Sequence, residues 1–178
     1  MNVICYGDSN TYGYDPRSYF GGRYDPQCRW VDILAVKTGW NIKNEGMDGR
    51  EIPRNAIFVP DKTDLLIVML GTNDLLQGCG AQDVADRMEA FLCRPELDKS
   101  KICLIAPPPM ALGEWVPDQT LVDSSVQLAK AYQSLAQRLG IRFIDAGEWN
   151  ISLTFDGVHF TEAGHKAFAE GLGKELVP

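Results

Sequence analysis

Short apolar runs alternate along the chain with stretches in which apolar residues recur at helical spacing. Residues 3–6, 40–43, 65–70, 102–106 and 142–144 predict strands, the third being six uninterrupted apolar residues closed by Gly71. Unbroken rather than alternating apolar character belongs to strands covered on both faces, hence to a parallel sheet. Between them, Val31, Leu34, Ala35 and Thr38 form a helical stripe that Gly39 closes, and Ala81, Val84, Ala85, Met88 and Leu92 form a second. Leu121, Leu128, Tyr132, Leu135 and Leu139 make a longer one ended by Gly140, a residue suited to a C-terminal cap. A last helix starts with Thr161 as its N-cap and buries Phe168, Leu172 and Leu176. The order β-α-β-loop-β-α-β-α-β-α predicts a three-layer α/β/α sandwich around a five-stranded parallel sheet. Right-handed crossovers give the flavodoxin-like strand order 2-1-3-4-5. No repeat or linker divides residues 1–178, which are expected to form one domain.

Two stretches break the periodicity. Residues 11–27 hold Tyr12, Tyr14, Tyr19, Phe20 and Tyr24 among the loop-formers Gly13, Pro16, Gly21 and Gly22, and residues 107–118 hold the run Pro107-Pro108-Pro109, Met110, Leu112, Trp115 and Val116. Long aromatic loops in a compact protein are usually functional. Both leave carboxyl ends of strands, where open α/β sheets keep their ligands. They are expected to rim one crevice.

Three segments aim chemistry at that crevice. Ser9, in Gly7-Asp8-Ser9-Asn10, directly follows the first strand, and Asn73, in Gly71-Thr72-Asn73-Asp74, directly follows the third. His159, one of two histidines, stands three residues after Asp156 on a turn before the last helix. A serine hydroxyl is a poor nucleophile without a base, and an imidazole needs a partner to fix its tautomer. An amide side chain can stabilise an oxyanion. Each segment alone is also what a capped turn after a strand looks like; their coincidence in one short chain favours an acyl-transfer site. His165, on the inward side of the last helix, is expected to be a packed structural histidine. Asp8 and Asp74 are expected to bond local backbone, and Cys79 has no neighbouring histidine to make it a reactive thiol.

Composition removes other classes. The chain has 178 residues, 45% of them hydrophobic, and a net charge of −7, so neither nucleic acid nor an anionic membrane surface is an expected partner. Five cysteines are an odd number without metal-ligand spacing, and Cys5 and Cys103 fall in predicted strands, as reduced thiols of a cytoplasmic protein would. After Met1 the chain enters its first strand at once, without the pattern of a signal peptide. No cofactor or metal is called for.

Gly7-Asp8-Ser9-Asn10 resembles the first sequence block of the SGNH (GDSL-type) hydrolases, a family of esterases, lipases and acyltransferases. Gly46-Met47-Asp48-Gly49 resembles the second block, Gly71-Thr72-Asn73-Asp74 the third and Asp156-Gly157-Val158-His159-Phe160 the fifth. Cys5-Tyr6, Arg29-Trp30, Pro107-Pro108-Pro109 and Asp145-Ala146-Gly147 are similar to the arylesterase and acyltransferase branch. The resemblance implies Ser9 as nucleophile, His159 as base and Asp156 as its orienting carboxylate. It implies an oxyanion hole made by the backbone N–H groups of Ser9 and Gly49 and the side chain of Asn73. Asn10 stands where many members carry an aliphatic residue, and the chain is shorter than its relatives between Gly49 and Leu65.

The expected activity is hydrolysis of small carboxylic esters through an acyl-serine intermediate, with short-acyl, aryl and acetylated-sugar esters as the candidate substrates. Tyr12, Tyr14 and Trp115 are expected to line the pocket, stiffened on one side by the run of prolines. Acyl transfer or thioester hydrolysis on the same site, a non-catalytic ligand-binding module and a homo-oligomeric assembly stay open. A thioesterase acting on coenzyme A would want basic residues at the rim, for which Arg17, Arg23 and Arg50 are the candidates. A metallophosphoesterase is disfavoured, since two histidines supply too few nitrogen ligands.

Overall fold

Strand β1 (Asn2–Gly7) pairs in a parallel sheet with β2 (Asn41–Gly46) on one side and β3 (Leu65–Met69) on the other. Beyond β3 come β4 (Ile102–Ala106) and β5 (Arg142–Asp145), giving the expected order β2-β1-β3-β4-β5. The computed structural model describes residues 1–18 and 20–177, so Tyr19 of the first aromatic loop lies outside the described residues.

Side chains alternate across the pleat and build a separate core on each face. On one face Val3, Cys5, Ile67, Met69, Cys103 and Ile105 pack with helices α2 (Trp30–Thr38) and α6 (Glu162–Leu176). On the other, Ile4, Leu66, Val68, Ile102 and Leu104 pack with α4 (Ala81–Leu92) and α5 (Gln119–Leu139). Gly39 and Gly140 cap α2 and α5 in the left-handed region, and the Thr161 side chain accepts from the Gly164 N–H at the start of α6. These are the caps expected from the sequence.

The edge strand departs from expectation. β2 runs over Asn41–Gly46, three residues past the expected 40–43, and has no fully buried residue. An edge strand needs only one partner and one covered face, so Lys43, Asn44 and Glu45 enter it without the apolar run that marks the others. Two further elements have no periodic signature at all: α1 (Ser9–Tyr12) and α3 (Thr72–Leu76), single turns that leave β1 and β3 directly. A helix this short shows no stripe. Both sit where the candidate chemistry is.

Candidate active site

Gly7 ends β1 and Asp8 turns the chain into α1, its side chain accepting from the Asn10 N–H at 3.0 Å. Asp8 rather than Ser9 is therefore the cap, and Ser9 is the first helical residue. A first-turn N–H has no acceptor inside its own helix, so the backbone donor of Ser9 is left for a ligand. The turn lies close on the sheet because Gly7 and Gly46 lack side chains. A Cβ on Gly7 would stand 2.1 Å from the Thr11 hydroxyl, and one on Gly46 2.0 Å from the Tyr12 nitrogen.

His159 arrives from the other end of the chain. Its Nε2 lies 3.0 Å from the Ser9 Oγ and its Nδ1 2.7 Å from Asp156 Oδ2. With Asp156 ionised, Nδ1 carries the proton and donates to it, leaving Nε2 to accept from the Ser9 hydroxyl. The other carboxylate oxygen of Asp156 accepts from the backbone N–H groups of Val158 and His159, both at 2.9 Å, and from the Thr154 hydroxyl at 2.7 Å. Burial alone would push the Asp156 carboxyl up. The hydrogen bonds from the His159 ring, the two N–H groups and Thr154 outweigh it and hold the group well below the usual carboxylate range. All three side chains are buried, Ser9 at 6% exposure being the most open.

The histidine is clamped from both sides by Asn10. Asn10 Nδ2 donates to the Val158 carbonyl at 3.1 Å, and Asn10 Oδ1 accepts from the Phe160 N–H at 2.9 Å. The Trp30 indole N–H donates to the Asn10 carbonyl at 2.9 Å, and the Tyr24 hydroxyl to the Phe160 carbonyl at 3.2 Å. An aliphatic side chain at this position could make neither side-chain bond. Asn10 thus ties the serine turn to the histidine loop, a role that its place in the motif alone did not suggest.

Asn73, in the single turn α3, donates from Nδ2 to the Arg50 carbonyl at 3.1 Å. Its neighbour Asp74 accepts from the Ile52 N–H at 3.1 Å and from Arg87 at 3.1 Å. Together they fasten the 50–52 backbone beside α3. Just before it, the Arg50 N–H donates to the Met47 carbonyl at 3.2 Å and closes a turn with Gly49 at φ 67°. That left-handed conformation favours glycine.

Ser9, Tyr14, Asp48, Gly49, Asn73, Trp115 and His159 line one cleft of about 210 Å³. The Tyr14 ring centroid lies 4.8 Å from that of His159, and the Trp115 ring meets it edge-on at 5.0 Å. Tyr14 and Trp115 therefore stand in the cleft with Ser9 and His159. Tyr12 is not among its lining residues; its ring instead carries the Arg23 guanidinium at 4.4 Å. The proline run is not in the lining either. It leads into a loop that three backbone bonds fasten to the histidine turn: Ala111 N–H to the Gly157 carbonyl, Glu114 N–H to Phe155 and Trp115 N–H to Asp156.

The remaining sequence candidates have structural places. His165 is fully buried between Tyr24 and Phe160, its Nδ1 3.4 Å from the Trp30 N–H, and burial pushes its pKa down to about 3. Burial lifts the Asp8 carboxyl to about 6 against the Asn10 N–H and the nearby His159. All five cysteines are free, and burial pushes the Cys103 thiol up to about 12. The three rim arginines are engaged: Arg17 with Asp15 and Glu162, Arg23 with the Tyr12 carbonyl and ring, Arg50 with the Gly7 and Glu45 carbonyls and the Tyr6 ring. Among the described residues no group of three or more His, Cys, Asp or Glu is placed to hold a metal ion, and no helix is long and apolar enough to cross a membrane.

A serine, an imidazole and a carboxylate hydrogen-bonded in series at the carboxyl ends of a 2-1-3-4-5 sheet have the layout of an α/β hydrolytic enzyme. The pattern describing the GDSL-like lipase/acylhydrolase family matches residues 5–167, and the chain belongs to that family. It is a carboxylic ester hydrolase. Among solved structures it is similar to a proposed arylesterase from Agrobacterium tumefaciens, at 28% identity and a TM-score of 0.81, with 99% of this chain and 98% of that one covered. The aryl esterase of M. smegmatis is 26% identical with a TM-score of 0.78 over 99% and 98% of the two chains. A carbohydrate acetylesterase from Sinorhizobium meliloti, at 23% identity and a TM-score of 0.79 over 99% and 98%, shares the fold. Among curated protein sequences none matches the chain significantly.

Proposed function

We propose that the protein hydrolyses small carboxylic esters with short acyl groups through an acyl-Ser9 intermediate. The observation carrying this reading is the unbroken series Asp156–His159–Ser9, with its serine end open to the cleft. His159 Nε2 takes the proton of the Ser9 hydroxyl as Oγ bonds to the ester carbonyl carbon. The Ser9 and Gly49 N–H groups and the Asn73 amide receive the oxyanion. Collapse of the tetrahedral adduct breaks the bond to the alcohol oxygen, which leaves with the proton from His159. Water then repeats the sequence on the acyl-serine, releasing the acid and restoring the hydroxyl.

Asn73 suits that part because its Arg50 bond uses one of two amide hydrogens and fixes the direction of the other. The size of the cleft favours acetyl to butyryl groups. At about 210 Å³ it is smaller than typical ligand pockets, which run from roughly 300 Å³ upward. The aromatic faces of Tyr14 and Trp115 suit an aryl alcohol, the class named for the two arylesterase neighbours. The same reading takes the chain as one domain, since the strands of a single sheet come from both ends of it. It also places the enzyme in the cytoplasm, on the strength of five free cysteines.

Ser9→Ala and His159→Ala should each lower kcat for p-nitrophenyl acetate by about 10⁴ or more, with the double variant little worse than either, because the two act as a unit. An organophosphonate should add its mass to Ser9 in the wild type and not in Ser9→Ala. Additive losses, or labelling elsewhere, would refute the assignment.

A further inference from the structure

One side chain in the cleft has no part in the chemistry above. Asp48 belongs to the Met47–Arg50 turn that presents the Gly49 N–H, and it lines the cleft together with Ser9 and His159. Among the described residues its carboxylate has no hydrogen-bond or ion-pair partner. Among the described residues, the His159 ring and Arg23 are the cationic or potentially cationic groups that act on it. Arg23 is committed to the Tyr12 carbonyl and to the face of the Tyr12 ring. Partial burial raises the Asp48 carboxyl above its ordinary value, with His159 and Arg23 opposing the rise.

The other walls are Tyr14 and Trp115, which offer ring faces and no positive charge. The two further arginines that could have balanced the rim are used elsewhere, Arg17 by Asp15 and Glu162, Arg50 by backbone carbonyls. A substrate seated against Ser9 therefore meets one carboxylate held by no hydrogen bond or ion pair among the described residues, and two aromatic side chains. That combination accepts hydrogen bonds and attracts positive charge, and it repels anions.

We propose that Asp48 is the specificity-determining residue of this esterase, admitting esters whose alcohol carries hydroxyl or ammonium groups and turning away those that carry a carboxylate or phosphate. This rests on the ester-hydrolase reading of the Ser9 site and narrows it. Coenzyme A thioesters, with several phosphate charges, fall on the rejected side. Hydroxyl and ammonium groups share the property that matters, positive potential directed at the carboxylate, but they differ in what an amide replacement leaves. Asparagine keeps an acceptor oxygen for a hydroxyl and loses the charge that attracts a cation.

Acetate esters of matched alcohols separate these possibilities. Acetylcholine supplies the cation, 3,3-dimethylbutyl acetate its uncharged isostere, glycerol monoacetate the hydroxyls, and the acetate of a hydroxycarboxylic acid of similar size the anion. In the wild type at low salt, kcat/KM for the anion should fall about tenfold below the neutral isostere. The gap should narrow between low and high salt. Asp48→Asn should bring the anionic, neutral and cationic esters to within about threefold of one another while keeping most of the preference for glycerol monoacetate. Asp61→Asn, which makes the same change in net charge beside the far end of the sheet, should leave every ratio as in the wild type.

A wild type that takes the anionic and neutral esters equally, or ratios that Asp48→Asn does not move, would overturn the assignment to Asp48. Equal shifts from Asp61→Asn would also do so, since they would trace the effect to net charge. If instead hydrolysis of the neutral ester survives in Ser9→Ala, the reading of the site itself is wrong, and the two failures are told apart by that variant.

Discussion

Asn10 makes the strongest case for a single side chain that acts through others. Its amide holds the Val158 carbonyl and the Phe160 N–H, the peptide groups on either side of His159. All four groups are buried, so removing the amide leaves two backbone groups without partners, each costing roughly 1–3 kcal/mol. Asn10→Ala should lower stability by about 2–4 kcal/mol in urea unfolding. Under conditions where the variant is folded it should lower kcat much more than it changes KM, since what is lost is the aim of the imidazole and not a contact with substrate. A raised KM with unchanged kcat would show that Asn10 serves the pocket and not the histidine.

At the scale of elements, the candidate site is three connecting segments pinned to one another. The histidine turn and the Trp115 loop are joined by three backbone bonds, and they approach so closely that glycine is required between them. A Cβ on Gly157, at φ 80°, would stand 2.0 Å from the Ala111 carbonyl oxygen. Gly157→Ala should therefore separate the loops. It should cost more than the ~1–3 kcal/mol of a residue held in left-handed backbone and should depress activity as well. Gly78→Ala is the fitting comparison, because Gly78 has φ 89° but open space around its missing side chain. Its thermal unfolding should show the strain alone, with kcat/KM unchanged. Equal activity in both variants would mean that the clamp between the loops does not matter to the site.

For the whole molecule, two buried groups, His165 and Asp8, pull the stability in opposite senses between about pH 6.5 and 3.8, above the range in which the depressed Asp156 carboxyl takes up its proton. His165 ionises at about 6.5 in the unfolded chain, while burial drives its pKa to about 3 in the fold. Below pH 6.5 the unfolded state takes up a proton that the native state refuses, so stability is lost as pH falls toward 3. Asp8 has its folded value raised from 3.8 to about 6, so its contribution is fully present below pH 3.8 and is lost as pH rises through 6. Between pH 6 and 4 the two oppose each other. His165→Leu removes the first alone, and its unfolding free energy should improve relative to wild type by about 1.4 kcal/mol for each unit of acidification below 6.5. Parallel curves for the two proteins would show that His165 is not the group responsible.

The strands buried on both faces, the capped helices and the strand order were legible in the residues alone, because each follows from local periodicity and from chirality rules. So were Ser9, Asn73, Asp156 and His159, since each stands in a short motif directly after an apolar run or on a turn before the last helix. What lies outside local pattern was decided only by the tertiary structure. The polar edge strand and the single-turn helices carry no periodic signal. The Asn10 clamp spans 148 and 150 residues along the chain. Tyr12, close to Ser9 in sequence, points its ring to Arg23 because one helical turn carries successive side chains to different sides, whereas Tyr14 reaches His159 after the chain has left that turn. Proximity along the chain placed both tyrosines near the serine. Only the direction of the backbone decided which one faces the site.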